Sequence, residues 1–478
     1  MVTIGAVLIA GYHPGIEDDG VYLPAIQRGL DPTLFPHDSD FFTLQLQATV
    51  FDKAIALSKK LTHAPLPVVL LAWHLASIFL ILLACYEISR RCFQEEYARW
   101  AAVCTIAALL TLTVAGTALY LVDQYLHPRA IATAGILFAI VAVLDRRSGR
   151  ASGLLVLACA FHPLMGALGI SLCVFLGWKQ AKADLPSGTT TVIGVAAFVL
   201  SPLRWIFQPV SAAWRVAAQT RDYYFLGRWE WYEWLGVFAP LLIVYWFGRI
   251  GSRKNMPMLS YMSKRLNFYG VFQLAVAFVI MLPPDFERLR PFQPMRYLHL
   301  YYILFLLFSG GLIGKYFLRR SVVRWLVFFL PLCAGMYWSQ RVLFPASDHI
   351  EITYSNSKDP WVAAFEWVKN NTPKNAYFAL DPYYMERPCE NYHSFRALAE
   401  RSALADYVKD PSVSTQVPEL APRWQQEVQA QAGWEHFQQQ DFERLKAQFG
   451  VNWVLVEKQV AGLICPYRNR SVFVCQVP

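Results

Sequence analysis

The sequence predicts a polytopic α-helical membrane protein of about 11 transmembrane or re-entrant helices, followed by a small α/β extracytoplasmic domain. Three observations carry this expectation. Only 16% of the 478 residues are charged and 55% are hydrophobic, against roughly 25% charged in an ordinary soluble chain. The apolar residues fall in blocks of about 15–25, the length a helix needs to cross a bilayer. Trp and Tyr, 16 and 24 in number, gather at block ends, as an interfacial aromatic belt requires.

The chain opens on an apolar stretch, 1–11, too short to span and without the basic flank of a signal peptide. It reads as a first helix partly missing, or a start site placed too late, rather than a cleaved signal. Further apolar blocks lie near 66–86, 100–121, 130–144, 151–178, 190–207, 233–248, 267–283, 298–314 and 322–340. The net charge of +9 sits in short loops between blocks, so it orients the chain in a membrane and does not point to nucleic acid. Arg146, Arg147 and Arg150 fill one loop, Arg249, Arg253, Lys254, Lys264 and Arg265 a second, and Lys315, Arg319, Arg320 and Arg324 a third. The positive-inside rule makes all three cytoplasmic. Segments 12–65, 122–129, 208–232 and 284–297 then face outward, as does the chain after about Phe344. For both Arg150 and Lys179 to be cytoplasmic, block 151–178 must cross twice or dip and return. The Phe161-His162-Pro163 break supplies the hinge, with His162 near the outer surface.

The first outer loop, 12–65, is long and acidic, and Leu44, Ala48, Phe51 and Ile55 recur at helical spacing through 41–60. That predicts a helix lying along the membrane surface. The transmembrane part therefore runs 1–344, and 345–478 reads as a soluble α/β domain. Within it, 360–370 reads as a helix, 376–380 as a buried strand, 424–449 as a polar helix, and 451–457 and 471–477 as further strands. Cys85, Cys92, Cys104, Cys159, Cys173 and Cys333 lie in or beside apolar blocks, as small hydrophobes do. If the C-terminal domain is extracytoplasmic, Cys465 and Cys475 form a disulfide and leave Cys389 odd; three unpaired thiols is the equal alternative. There is no internal repeat, P-loop, GxGxxG or HExxH pattern.

Three outward-facing stretches hold the polar chemistry. Glu17-Asp18-Asp19 follows the first apolar segment. Three adjoining acids repel one another, so one holds a raised pKa or finds a cation. A carboxylate there suits a general base toward a hydroxyl, or a ligand for a divalent cation; a solvated acidic turn fits the same spacing. The next outer loop brings Asp123, His127 and Arg129, which also fit a short polar turn anchored at headgroups. Arg221 and Arg228, then Arg290 and Arg296, lie outside against the charge rule. Their forked donors match phosphate oxygens, either of a ligand or of ordinary phospholipid. Trp229, Trp231, Tyr232 and Trp234 among them read as belt residues before a sugar-stacking platform.

On these features the chain resembles the GT-C superfamily of membrane glycosyltransferases, in its bacterial branches. The likeness rests on the architecture, on Glu17-Asp18-Asp19 in a long first outer loop running into a surface helix, and on the tail. There Trp361-Val362-Ala363-Ala364-Phe365-Glu366-Trp367-Val368-Lys369-Asn370-Asn371-Thr372-Pro373 leads to a strand before Asp381-Pro382. The resemblance implies a GT-C-like fold in a bacterial inner membrane, with the C-terminal domain periplasmic. It implies inverting transfer of a sugar from a polyprenyl-phosphate or pyrophosphate donor to a glycan, lipid or protein acceptor, among membrane lipids. A first-loop Asp serves such enzymes as base or orients the acceptor, which maps to Asp18 or Asp19, with Glu17 beside them. Arg129, Arg221, Arg228, Arg290 and Arg296 become candidates for holding the leaving phosphate, with Asp123, His127 and His162 behind them. No cofactor is fixed; a divalent cation stays open. The contiguous triplet departs from the family's pattern of acids spaced one apart. Rival expectations are a transporter or flippase of lipid-linked glycans, a polymerase or ligase using the same lipids, and a silent binding subunit. Transporters usually carry charge deep inside spanning helices, whereas here the charge lies at the outer surface.

Overall fold

The computed structural model describes residues 1–177, 209–352, 357–386 and 393–478. The block expected at 190–207, together with Lys179 and Cys389, lies outside the described residues. The described chain is mostly helical. It runs α1 (Val2–Ala10), α2 (Asp19–Leu30), α3 (Asp40–Thr43), α4 (Phe51–Thr62), α5 (Leu66–Cys92) and α6 (Glu96–Ala108) into a hairpin, β1 (Thr113–Val114) and β2 (Leu119–Tyr120). Then come α7 (Pro128–Leu144), α8 (Ser148–Phe161), α9 (Pro163–Gly177), α10 (Ala212–Gln219), α11 (Trp231–Arg253), α12 (Pro257–Met281), α13 (Tyr297–Ile313) and α14 (Val322–Leu343). Four helical runs are long and apolar enough to cross a membrane: Leu66–Cys92, Trp231–Arg253, Pro284–Leu318 and Val322–Leu343. Helices α7, α8 and α9 are apolar but shorter.

Helix α13 is buried along nearly its whole length at the centre of the bundle. Its glycines allow this: a Cβ at Gly311 would come within 2.1 Å of the Phe93 ring, and one at Gly310 within 2.4 Å of Thr105 Oγ1. Helix α14 is the opposite case. Gln340 is its one buried residue, and Val322, Val323, Leu326, Val327, Leu330 and Trp338 are all exposed. An apolar helix exposed on every side is stable only in an apolar surrounding.

Three sequence expectations need correction. Block 100–121 is not one helix: α6 ends at Ala108 and the chain turns through the β1–β2 hairpin. β-branched Thr111, Thr113, Val114 and Thr117 favour strand, and Gly116 turns at φ 62°, where a Cβ would lie 2.3 Å from Trp229. The helix expected over 41–60 is broken, because Thr49 is extended (φ −128°, ψ 163°) between a 3₁₀ turn and α4. The break shifts the helical phase, so Phe51 and Ile55 are buried while Ala48 is exposed. The helix expected over 424–449 is likewise two, α18 (Ala421–Ala430) and α19 (Gln439–Phe449), parted at Gly433 with φ 77°.

The rest of the C-terminal region supplies α15 (Pro360–Asn371), β3 (Tyr377–Ala379), α16 (Phe395–Ala399), β4 (Ser402–Ala403), α17 (Asp410–Gln416), β5 (Trp453–Val456), β6 (Ile464–Arg468) and β7 (Phe473–Gln476). The five strands form one sheet ordered β4-β3-β5-β7-β6, parallel across the first three and antiparallel across the last three. Alternate side chains point to opposite faces. Phe378, Trp453 and Leu455 meet Trp361, Val362 and Phe365 of α15, while Tyr377, Val454 and Val456 meet Phe442 and Leu445 of α19. Cys465 and Cys475 are joined in a disulfide across β6 and β7.

The first loop and the C-terminal region share a core. Phe41, Phe42, Phe51 and Ile55 pack in one cluster with Ala397, Val413, Leu420 and Trp424. Main-chain bonds reinforce the join: Tyr12 N–H donates to His349 O (3.0 Å), Glu351 N–H to Tyr12 O (2.8 Å), and Ser394 N–H to Gly15 O (2.8 Å).

Candidate functional site

The acidic triplet is displayed by a tight loop. Gly11 and Gly15 take φ of 80° and 85°, and Glu17 takes 48°, a left-handed conformation uncommon in a residue with a Cβ. A Cβ on Gly15 would lie 2.8 Å from Leu398, so the close approach to the C-terminal region also requires glycine there. Asp19 closes the loop: its Oδ2 accepts from Gly15 N–H at 2.7 Å. That carboxyl is 3% exposed. Burial, with Asp18 beside it, pushes its pKa up to about 7 against the pull of the Gly15 N–H.

Asp18 points the other way, with 45% of its side chain open. Its N–H donates to Tyr125 Oη at 3.2 Å. Its carboxylate stands 3.6 Å from His127 Nε2 and 3.5 Å from Lys409 Nζ. Burial alone would raise its pKa, but Lys409, His127 and Arg129 outweigh it and hold the group well below the usual carboxylate range. The Lys409 ammonium also contacts Glu17, and these two acids raise its pKa against the effect of burial.

His127 caps α7. Its Nδ1 accepts from Arg129 N–H at 2.9 Å, so the neutral ring carries its proton on Nε2, aimed toward Asp18. Desolvation, then the Arg129 charge, lowers its pKa. Arg129 is 3% exposed and gives both Asp123 carboxylate oxygens contacts of 2.6 and 2.7 Å through Nη2. Its Nε and Nη1 have no hydrogen-bond partner among the described residues. His162, at the break between α8 and α9, stacks on His127 with centroids 6.0 Å apart. Tyr22 sets its ring edge against His127 at 5.0 Å.

The remaining cations divide. Arg296 bonds Gln293 through Nε (2.5 Å) and lies near enough to Asp18, Arg129, Tyr223 and Tyr224 to feel their charge. Arg221 reaches the Val408 carbonyl, next to Lys409. Arg228 and Arg290 stand outside the cluster, on the Phe225 ring at 4.5 and 5.0 Å, and Arg228 is held by Asp222 and Gln219 O. The structure thus brings together Glu17, Asp18, Asp123, His127, Arg129, His162, Arg221 and Arg296, buries Asp19 beneath them, and leaves Arg228 and Arg290 at the rim. Sequence reasoning missed Lys409, Tyr22 and Tyr125. Lys409 lies 392 positions from Glu17, in a stretch whose local pattern carries no membrane or motif signal. Tyr125 lies between Asp123 and His127, in the same outer loop.

A divalent cation fits this constellation poorly. Among the described residues no group of three His, Cys, Asp or Glu gathers as a metal site, and Lys409 already supplies the cation for Glu17 and Asp18. A crevice of about 1060 Å³ lies elsewhere, lined by Glu95, Tyr97, Trp100, Arg320 and Trp325 at the opposite ends of α6 and α13. No protein-family model matches the chain, and a search of curated proteins finds no match.

Proposed function

We propose that this protein is a membrane glycosyltransferase that moves a sugar from a polyprenyl-phosphate donor to an acceptor hydroxyl at the outer face of a bacterial inner membrane. The observation that carries the reading is convergence. Asp18, His127, His162 and Arg296 belong to four separate connections, each of which the charge pattern turns outward, and they meet around one half-open carboxylate, with Arg221 of a fifth connection beside the Lys409 that pairs with it. At the other ends of the helices the ion pairs include Arg91–Asp145 (2.6 Å) and Lys315–Glu95 (2.6 Å), beside the arginine-rich loops. Among the described residues, helices α1, α5–α9 and α11–α14 run between the face carrying the polar cluster and the face carrying the arginine-rich loops, in a chain we read as having about 11 passes, N-terminus inside and C-terminus outside. The Cys465–Cys475 disulfide supports an extracytoplasmic C-terminal region. The exposed apolar surface of α14 supports insertion in lipid.

In this reading Asp18 is ionised at neutral pH and orients the acceptor hydroxyl behind the anomeric carbon. As the new glycosidic bond forms, the carbon–oxygen bond to phosphate breaks and the hydroxyl proton passes to Asp18. The negative charge leaves on the phosphate, held by Arg296 with Arg129 and Arg221 behind it. Positioning and charge stabilisation supply most of the rate, because a carboxylate of low pKa is a weak base. Asp19 keeps the loop folded.

The test is transfer from radiolabelled polyprenyl-phosphate mannose, glucose, galactose and arabinose by the purified full chain in lipid. Consumption of one donor supports the reading. If none is consumed while labelled lipid crosses the bilayer, a transport function replaces it.

A further inference from the structure

The site is completed from a distance, by a region that sequence alone separates from it. Lys409 stands at the N-terminus of α17 with its side chain 11% exposed, its ammonium against Glu17 and 3.5 Å from Asp18. Two devices fix it there. Asp406 Oδ1 accepts from the N–H groups of Val408 (2.8 Å) and Lys409, a turn that sets the backbone. Arg396, buried, grips both oxygens of Asp410 at 2.7 and 2.8 Å and reaches the carbonyls of Ala403 and Leu404. The loop carrying the acids is itself pinned to the same region through Ser394 N–H, and through Glu351 Oε2 lying between His13 Nδ1 (2.9 Å) and His393 Nε2 (3.0 Å).

We infer that Lys409 is a positioning residue for Asp18, so that the C-terminal region supplies one essential charge of a site otherwise built from the helix-connecting loops. This rests on the proposed function for its consequence, but not for its geometry. Other charged groups reach the same carboxylate: His127 and Arg129 from the second outer loop, Arg296 from before α13, Glu17 and Asp19 from its own loop, and Tyr22 and Tyr125 as neutral neighbours. Of the cations among them, Arg129 is engaged by Asp123, Arg296 is turned to Gln293 and acts on Asp18 less than Lys409 does, and the His127 ring is held toward neutrality by burial. Lys409 is therefore the principal fixed charge on Asp18, and it also restrains Glu17.

The experiment uses the full chain in lipid, with a hydrophobic carbodiimide that reacts with protonated carboxyls, and peptide mass spectrometry to read modification at Asp18 across pH. In Lys409→Met the pH of half-modification rises by about one unit or more, as removal of a close opposite charge requires; Lys409→Arg stays near wild type. Asp406→Ala, which removes the acceptor that sets the turn without touching the ammonium, gives a smaller shift of the same sign and serves if Lys409→Met does not fold. An unchanged half-point in folded Lys409→Met, or in folded Asp406→Ala if that alone is obtained, overturns the inference. Transfer assays on the same samples separate the two claims. If the labelling shifts and the acid limb of transfer moves with it, both stand. If the labelling shifts but no donor is ever consumed, the positioning role stands and the glycosyltransferase reading falls.

Discussion

Replacing Arg396 by Met removes the partner of a buried carboxylate and leaves its side-chain volume filled. Asp410 is 1% exposed and Arg396 5%. The substitution deletes two charge-assisted bonds of 2.7 and 2.8 Å and two weaker ones to carbonyls at 3.1 and 3.3 Å. Breaking a buried pair by removing one partner costs about 3–5 kcal/mol, because an uncompensated charge is left behind. The loss falls on the 395–416 stretch. Hydrogen exchange of its amides, read by mass spectrometry on the full chain, therefore accelerates by about 150- to 5,000-fold where opening is local. Burial already raises the Asp410 pKa to about 7, with Arg396 resisting and Asp406 assisting the rise. Without Arg396 the native state favours a proton there still more, so the loss is largest above pH 7 and shrinks toward pH 5, where folding takes up that proton. The double variant Arg396→Met, Asp410→Leu recovers much of the protection, since no charge remains stranded. Protection losses that simply add, or a single variant indistinguishable from wild type, would refute the coupling that is said to hold Lys409 in place.

Two further outcomes follow from the same geometry. Asp19 has a folded pKa of about 7 against about 3.9 unfolded, so its contribution to stability is present below pH 4 and is lost as pH rises to 7; Asp19→Asn flattens that part of a melting-temperature profile relative to wild type, and an unaltered slope contradicts the assignment. The disulfide closes a loop of sequence separation 10, so Cys465→Ser with Cys475→Ser costs about 2–3 kcal/mol by loop-closure entropy, read as earlier proteolysis of β6–β7; no change in cleavage on reduction speaks against it.

How much of this was legible depended on whether the signal was local. Helices α5, α7 and α11–α14 follow from apolar runs, and the α8–α9 break from Pro163, because composition and a missing N–H act within a few residues. The β1–β2 hairpin did not, since its residues are as apolar as a helix and its turn depends on Gly116 meeting Trp229, more than a hundred positions away. Helix α2 is hidden in the sequence because Asp19 reads as one of three chemical acids, whereas it is the first residue of that helix and folds back on Gly15. The choice between Asp18 and Asp19 required the loop's φ angles, which set one carboxyl inward and the other outward. Arg228 and Arg290 shared with Arg296 the same unusual outward placement; only the fold separates those stacked on Phe225 from the one facing Asp18. Lys409 left no trace in the sequence, because pairing across 392 positions is a property of the shared core and not of any pattern.

The central claim is that Asp18 is the carboxylate on which the chemistry turns, and one comparison tests it most directly. Donor consumption is measured for wild type, Asp18→Asn and Asp19→Asn in the same lipid, with bound donor quantified in parallel. The account predicts that Asp18→Asn still binds donor but transfers at least about 100-fold more slowly, because the amide neither takes the hydroxyl proton nor offers the negative charge that orients the hydroxyl. It predicts that Asp19→Asn, once folded, keeps most of its activity. Full transfer by Asp18→Asn with loss confined to Asp19→Asn would contradict it.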